Sequence, residues 1–263
     1  TAGITEMPTT WDEFNAAADK LMAVGIIPLA HGGQPWQDAT VFEDVVLGIG
    51  GADFFRKALV ELDQDALQSD TMIAAFDQLR KMRGYVDDNF AGRDWNLATG
   101  MVMRGEAGFQ IMGDWAKGEF LAAGKVPGVD FLCAPTPGNG FVLNSDSFTF
   151  FKVEGDDNIE GQQVLASLIM SPEFQETFNL AKGSIPARTD VALDAFDACA
   201  LRSHEDLLAA IENDALVPSM AHEMAIPRSI RGEFIDLVTN FFNSDMSSEE
   251  AVQSLAAAVA RAQ

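Results

Sequence analysis

The 263-residue chain is poor in several residue types at once. It has two cysteines, one tyrosine and three histidines, and its 17 Lys plus Arg face 40 Asp plus Glu, for a net charge of -23. So little positive charge sets up a field that repels phosphate backbones and anionic lipid, which argues against nucleic acid as a partner. No stretch approaches the roughly 20 uninterrupted apolar residues that a membrane-crossing helix needs. The first residues lack a basic-then-apolar leader pattern, so a soluble, mature chain without membrane insertion is expected. The cysteines, Cys133 and Cys199, are too few for a disulfide scaffold and lack C-x-x-C spacing. Either they pair with each other or they are two separate buried thiols. His31, His204 and His222 are too widely spaced for a local zinc motif. The nucleophile elbow, P-loop, dinucleotide fingerprint and H-E-x-x-H pattern are all missing. No cofactor is implied.

What is present is a foldable composition, 48% apolar and 22% charged, long enough for one large or two modest domains. "TTWDEF" opens a helix with a capping box, Thr10 to Glu13, and Gly25 ends it. "IIPLAHGG" reads as a buried strand that delivers its last residues to a loop. Helical periodicity recurs near 39–49, 53–62, 69–84 and 94–104, and a strand is expected over 107–111, leading into a helix. "VDFLCAPTPGNGFVLNSDSFTFFKV" reads as two apolar strands about a Pro/Gly loop, the second interrupted by "NSDS". Two helices follow, the second starting at Ser171-Pro172 and ending before Gly183, and the tail gives two more, with "SSEEA" as a cap. Short strands separated by helices make the fold class α/β.

The chemistry sits where apolar strands end. Asn144 and Asp146, two apart on an extended chain, project to one side and offer donors and acceptors suited to adjacent hydroxyls; a solvated strand-end turn is the bland alternative. Trp115, in "MGDWAKGEF", either fills core or, at a strand-to-helix turn, lays its π face against a ligand. Lys182 and His222 each lie beside a helix end or loop. Forty carboxylates guarantee some pair about 5 to 9 Å apart, so a glycoside hydrolase working through two acids stands as the enzymatic alternative. An interaction fragment without ligand competence is the third.

Taken together, "PTTWDEF", "PLAHGGQPWQ", "GEAGFQIMGDWAKGEF", "FVLNSDSF", "AKGSIPAR" and "SMAHEMA" resemble, in that order, the bacterial ABC-transporter solute-binding proteins of the glucose and mannose group. "TTWDEF" is widely shared; "MGDWAKGE", "NSDSF" and "KGSIPAR" together are sharper. The resemblance implies a type II periplasmic binding-protein fold, a Venus flytrap of two α/β lobes around a cleft, and a non-catalytic receptor that delivers a monosaccharide to an ABC permease. It implies that Trp115 stacks on the sugar, that Asn144 and Asp146 bind hydroxyls, and that Lys182 and His222 complete the clamp, with His31, Gln34 and Trp36 near the cleft. An extracytoplasmic, periplasmic location favours a Cys133–Cys199 disulfide. By analogy, 1–143 and 196–263 form lobe two, and 144–195 belongs to an incomplete lobe one whose first portion is absent. Either a piece left by proteolysis or truncation, or a chain completed by another copy, is then expected, with apolar surface exposed on the incomplete lobe.

Overall fold

The structure is a computed structural model that describes residues 2–263. Its first helix shows how local chemistry sets boundaries. In α1 (Trp11–Ala23) the Glu13 amide donates to the Thr10 hydroxyl at 3.2 Å, and the Thr10 amide donates back to Glu13 Oε2 at 3.3 Å. At the far end Gly25 turns at φ +76°, while its amide reaches the Met22 carbonyl and the Ile26 amide reaches Leu21, each at 3.0 Å. These two bonds satisfy carbonyls that the helix leaves open, and the left-handed turn is one that glycine adopts without a Cβ clash.

The chain then enters β1 (Ile27–Leu29), which later pairs in parallel with β2 (Ala107–Phe109), Ile27 opposite Ala107 and Leu29 opposite Phe109. Between them lie α2 (Pro35–Phe55), a π-helical turn (Arg56–Val60), α3 (Gln64–Leu67), α4 (Asp70–Gly84) and α5 (Trp95–Met103). The two helical stretches expected near 39–49 and 53–62 join into α2 and its π-helical end, with a kink at Gly51, φ +75°. After β2 come α6 (Ala116–Ala122) and β3 (Phe141–Leu143), then α7 (Asp156–Ile169), α8 (Pro172–Lys182) and α9 (Ala198–Glu212). β4 (Leu216–Pro218) pairs in parallel with β3, Leu143 opposite Pro218, and α10 (Arg228–Phe242) and α11 (Ser248–Ala262) close the chain.

The core is helical. α2 buries residues on every face and packs against α4 and α10, with α11 behind them. A helix apolar all round belongs inside a protein, not at its surface. The rings of Phe42, Phe76 and Phe241 run through this contact with centroids 4.9 and 4.8 Å apart. Each is fully buried, which contributes about 1.5–3 kcal/mol relative to exposure.

Two strand expectations need correction. Residues 129–136 stay irregular apart from one bridge between Pro127 and Phe131, and Val129 and Leu132 are exposed. Residues 144–154 form no strand among the described residues, and Phe148, Phe150 and Phe151 are exposed. In both places the apolar sequence finds no neighbouring strand to take its amides and carbonyls, and a strand without a partner does not persist. Val164, Leu165 and Leu168 of α7 are likewise exposed. Conversely, α9 and β4 were not among the expected elements.

Cys133 and Cys199 form a disulfide that joins the irregular 129–136 segment to the first turn of α9, 66 residues away in sequence. Beside it, the ammonium of Lys117, only 7% exposed, donates to both oxygens of Asp197, the N-cap of α9, at 2.9 and 2.8 Å. A loop of this size removes considerable chain entropy from the unfolded state. Cys199→Ser is therefore expected to lower the free energy of unfolding by about 2–4 kcal/mol, read from urea denaturation of parent and variant. Equal midpoints for the two proteins would show that the bridge carries no stability.

Candidate functional site

The four strands among the described residues hand their C-terminal ends to segments that carry candidate residues: β1 to "HGGQPW", β2 to "MGDW", β3 to "NSDS" and β4 to "SMAH". In open α/β folds ligands lie outside the carboxyl ends of parallel strands, so shared direction is a stronger indicator than any single residue.

The segments meet at His222. Its ring stands edge-on to Trp115, centroids 5.3 Å apart at 71°, and to Trp36 at 5.8 Å and 70°. Both indoles are half-buried. The Trp36 indole N–H donates to Gln34 Oε1 at 2.9 Å, and the Gln34 amide donates to Asp94. Trp115 occupies the N-cap of α6, and Gly113 gives it room: a Cβ there would lie 2.0 Å from the indole ring. Asn144 directly follows β3, and the Leu143 carbonyl accepts from the Ser219 amide at 2.9 Å, which sets Asn144 alongside the "SMAH" turn.

The polar pair lies on an adjoining segment. Lys182, the last residue of α8, donates to Asp146 Oδ2 at 2.7 Å. Its carbonyl packs against α6, since a Cβ on Gly118 would come within 2.6 Å of it. Gly183, at φ +91°, makes the reciprocal approach and would set a Cβ 2.6 Å from the Gly118 amide nitrogen. Asp114 locks the junction by accepting from the Ser184 hydroxyl at 2.7 Å and from the Ile185 amide at 3.3 Å. Enclosure of its carboxyl group raises Asp114 above the ordinary aspartate range, with Ser184 and the Lys182 charge opposing, although the residue as a whole is exposed. The glycines of "WAKGE" and "AKGS" are therefore one contact, and they carry Lys182 toward the turn that holds Trp115.

His31 is placed differently from the expectation of a residue near the cleft. It is 2% exposed, packed between Phe90 and Phe242, and its Nε2 lies 2.7 Å from Asp38 Oδ1. An imidazole enclosed by two phenyl rings has no face left for solvent. Its polar edge instead ties the β1 loop to the first turn of α2.

Sequence reasoning passed over Glu43. Its carboxylate is 1% exposed: Oε1 accepts from the Ser219 hydroxyl at 2.6 Å, and Oε2 accepts from the amides of Met220 and Ala221 at 2.7 and 2.9 Å. Ser219 in turn lies 2.8 Å from His222 Nδ1 and accepts the His222 amide at 3.1 Å. The signal was a glutamate set in the apolar run "TVFEDVVLG", where a solvated charge has no place. Asp44 next to it has its carboxyl pushed well above the ordinary range by burial and by the Glu43 charge, against which the Thr136 hydroxyl, 3.3 Å away, pulls.

A groove of about 690 Å³ lies elsewhere, bordered by Thr9, Trp11, Gly48, Asp77 and Lys81, between the start of α1 and the faces of α2 and α4. It contains none of the residues that converge on His222.

Residues 1–175 match the family of bacterial extracellular solute-binding proteins. The chain belongs to that family. It is 54% identical over 254 residues to a probable sugar-binding periplasmic protein of Brucella suis, a match covering 96% of this chain and 60% of the relative. It is 53% identical over 260 residues to a probable sugar-binding periplasmic protein of Rhizobium meliloti, covering 98% and 62%. The chain thus spans about three-fifths of the length of these relatives. A solved chitin oligosaccharide binding protein superposes with a TM-score of 0.77 at 18% identity, covering 99% of this chain and 66% of that one. The helix-rich α/β architecture is accordingly that of type II solute-binding proteins.

Gly118→Ala would press a methyl group into the Lys182 carbonyl. It is expected to destabilise the fold by about 1–3 kcal/mol in thermal or denaturant melts, and an unchanged melting temperature would dissociate the α6–α8 contact from stability. For Asp44 the sign follows from its raised carboxyl. The penalty for ionising it in the fold is absent below its ordinary value of 3.8 and grows as pH rises toward the folded value. Asp44→Asn is therefore expected to be more stable than the parent at neutral pH, with a gap that narrows below about pH 4. A pH-independent gap would contradict this.

Proposed function

We propose that this chain forms one wall of the sugar cleft in a periplasmic receptor that delivers a monosaccharide, such as glucose, to the transmembrane subunits of an ABC permease. The observation that carries the reading is the convergence on His222 of two half-buried indoles from the starts of two helices, α2 and α6, beyond the carboxyl ends of the strands. A pyranose has apolar C–H faces and a belt of hydroxyls, so it calls for an aromatic plate ringed by donors and acceptors. In this reading Trp115 is the plate, and Trp36, held by Gln34, flanks it. Asn144 and Asp146 take hydroxyls, and Lys182 and His222 complete the clamp. The Asp146–Lys182 ion pair is solvent-reaching and worth little by itself, so its two groups are free to turn toward hydroxyls at small cost. His31 stands outside this set and serves to hold the β1 loop.

The same reading assigns 1–143 and 196–263 to lobe two and 144–195 to part of lobe one. The phenylalanines of 148–151 and Val164, Leu165 and Leu168 of α7 support that division, since these large apolar side chains are left exposed. The disulfide supports an oxidising compartment. The names of the relatives from Brucella suis and Rhizobium meliloti agree with both sugar and periplasm.

Isothermal titration with glucose, mannose and galactose, followed by mass spectrometry of the sugar, tests the reading. Heat of binding with the sugar recovered intact is expected. Sugar recovered hydrolysed would favour the glycoside hydrolase, and absence of heat with all three would remove the receptor assignment from this chain. Trp115→Ala is expected to weaken binding by about 1–3 kcal/mol while the far-ultraviolet dichroism stays unchanged. A folded variant of undiminished affinity would return Trp115 to the role of packing residue.

A further inference from the structure

The hydrogen bonds behind His222 determine which of its nitrogens carries the proton. A serine hydroxyl has one hydrogen to give and two lone pairs to fill. Ser219 Oγ has three partners: Glu43 Oε1 at 2.6 Å, the His222 amide at 3.1 Å and His222 Nδ1 at 2.8 Å. An amide can only donate, so it takes one lone pair. Glu43 accepts two backbone amides on Oε2, which is the pattern of a carboxylate, and a carboxylate can only accept. The single serine proton therefore goes to Glu43, and the remaining lone pair must face a proton on Nδ1. With Nδ1 protonated, the neutral ring has a bare Nε2. That nitrogen is buried without a hydrogen-bond partner among the described residues, on the ring that both indoles flank.

We propose that Glu43 is a positioning residue: acting through Ser219, it holds His222 in the Nδ1–H tautomer and keeps Nε2, covered beside the two indoles, as the acceptor for the hydroxyl proton of a ligand that displaces its cover. The presentation step rests on the receptor reading above; the tautomer does not. A free imidazole side chain offers either nitrogen as donor, whereas a ring held in this way discriminates, because a group able only to accept finds no partner at Nε2. This gives His222 a defined share of the clamp: Asp146 and His222 both accept, and Lys182 donates. Glu43 is too deep to touch the ligand itself, at 1% exposure, and Ser219 is fully buried.

The test uses the chain labelled with ¹⁵N-histidine and long-range ¹H–¹⁵N spectra at about pH 8, above the ordinary histidine range. His222→Asn assigns the resonance among the three histidines. In the parent, His222 is expected to show a protonated Nδ1 and an unprotonated Nε2. Ser219→Ala removes the acceptor for Nδ1–H. Glu43→Gln places an amide donor against Ser219 and so turns the serine proton toward the imidazole. Both variants are expected to move the population toward Nε2–H. A parent ring already in the Nε2–H form overturns the proposal, as does a tautomer unmoved in folded Ser219→Ala. If neither variant folds, the parent spectrum alone decides.

Titration with glucose separates the two layers. With binding present, Ser219→Ala is expected to weaken it by about tenfold, the equivalent of one misdirected hydrogen bond. A flipped tautomer with unchanged affinity overturns the presentation step. The Nδ1–H form without any sugar heat leaves the tautomer standing and removes the receptor reading.

Discussion

A carboxylate buried among amides organises this molecule's candidate site. Glu43 lies on α2, the most enclosed helix of the core, yet its three hydrogen bonds all go to Ser219–Ala221, the turn that follows β4. A buried charge is tolerated only when its lone pairs are filled, and removing its partners would leave a costly uncompensated ion. That penalty makes the turn rigid in the place where His222 leaves it. The rest of the wall inherits this rigidity. Trp36 lies on the same helix seven positions earlier in the sequence, Trp115 meets the same imidazole from the β2 side, and Asn144 follows the strand paired with β4.

Much of the helical frame was legible because its signals are local. The capping box at Thr10, the cap in "SSEEA", the Ser171-Pro172 start and the glycine ends at Gly25 and Gly183 depend on residues within one turn of each other, and the structure contains all of them. The strands were less legible because a strand is a property of two segments. "FVL" and "LVP" form β3 and β4 by pairing across more than 70 residues, whereas the equally apolar "SFTFF" remains irregular for want of a neighbour. Composition favours extended backbone in each case, but only the pairing supplies the hydrogen bonds.

The site divides along the same line. Trp115, Lys182 and His222 could be singled out because a polar or aromatic residue at the end of an apolar run is unusual, and the resemblance named them together. Glu43 and Ser219 could not, since their meaning lies in each other's position, 176 residues apart in sequence. Two histidines in similar glycine- or serine-led loops have opposite fates for the same reason. His31 faces Phe90, Phe242 and Asp38 and becomes a piece of the core; His222 faces two indoles and stays partly exposed. Residue type sets what an imidazole can do, and only its neighbours decide which of those things it does.

The order of groups around His222 also bears on chemistry. In a nucleophilic triad the imidazole stands between carboxylate and hydroxyl, so that it draws the hydroxyl proton and leaves an activated oxygen facing the substrate. Here the hydroxyl stands in the middle: Ser219 gives its proton to Glu43, is fully buried, and meets the imidazole with a lone pair. The oxygen is thereby spent on holding two neighbours and has no open side from which to attack. The same three residue types that serve as an engine in one sequence of contacts serve as a brace in another. A brace that fixes both the angle and the proton of an imidazole lowers the ordering cost of each hydrogen bond the ring then makes, which is what a binding wall requires.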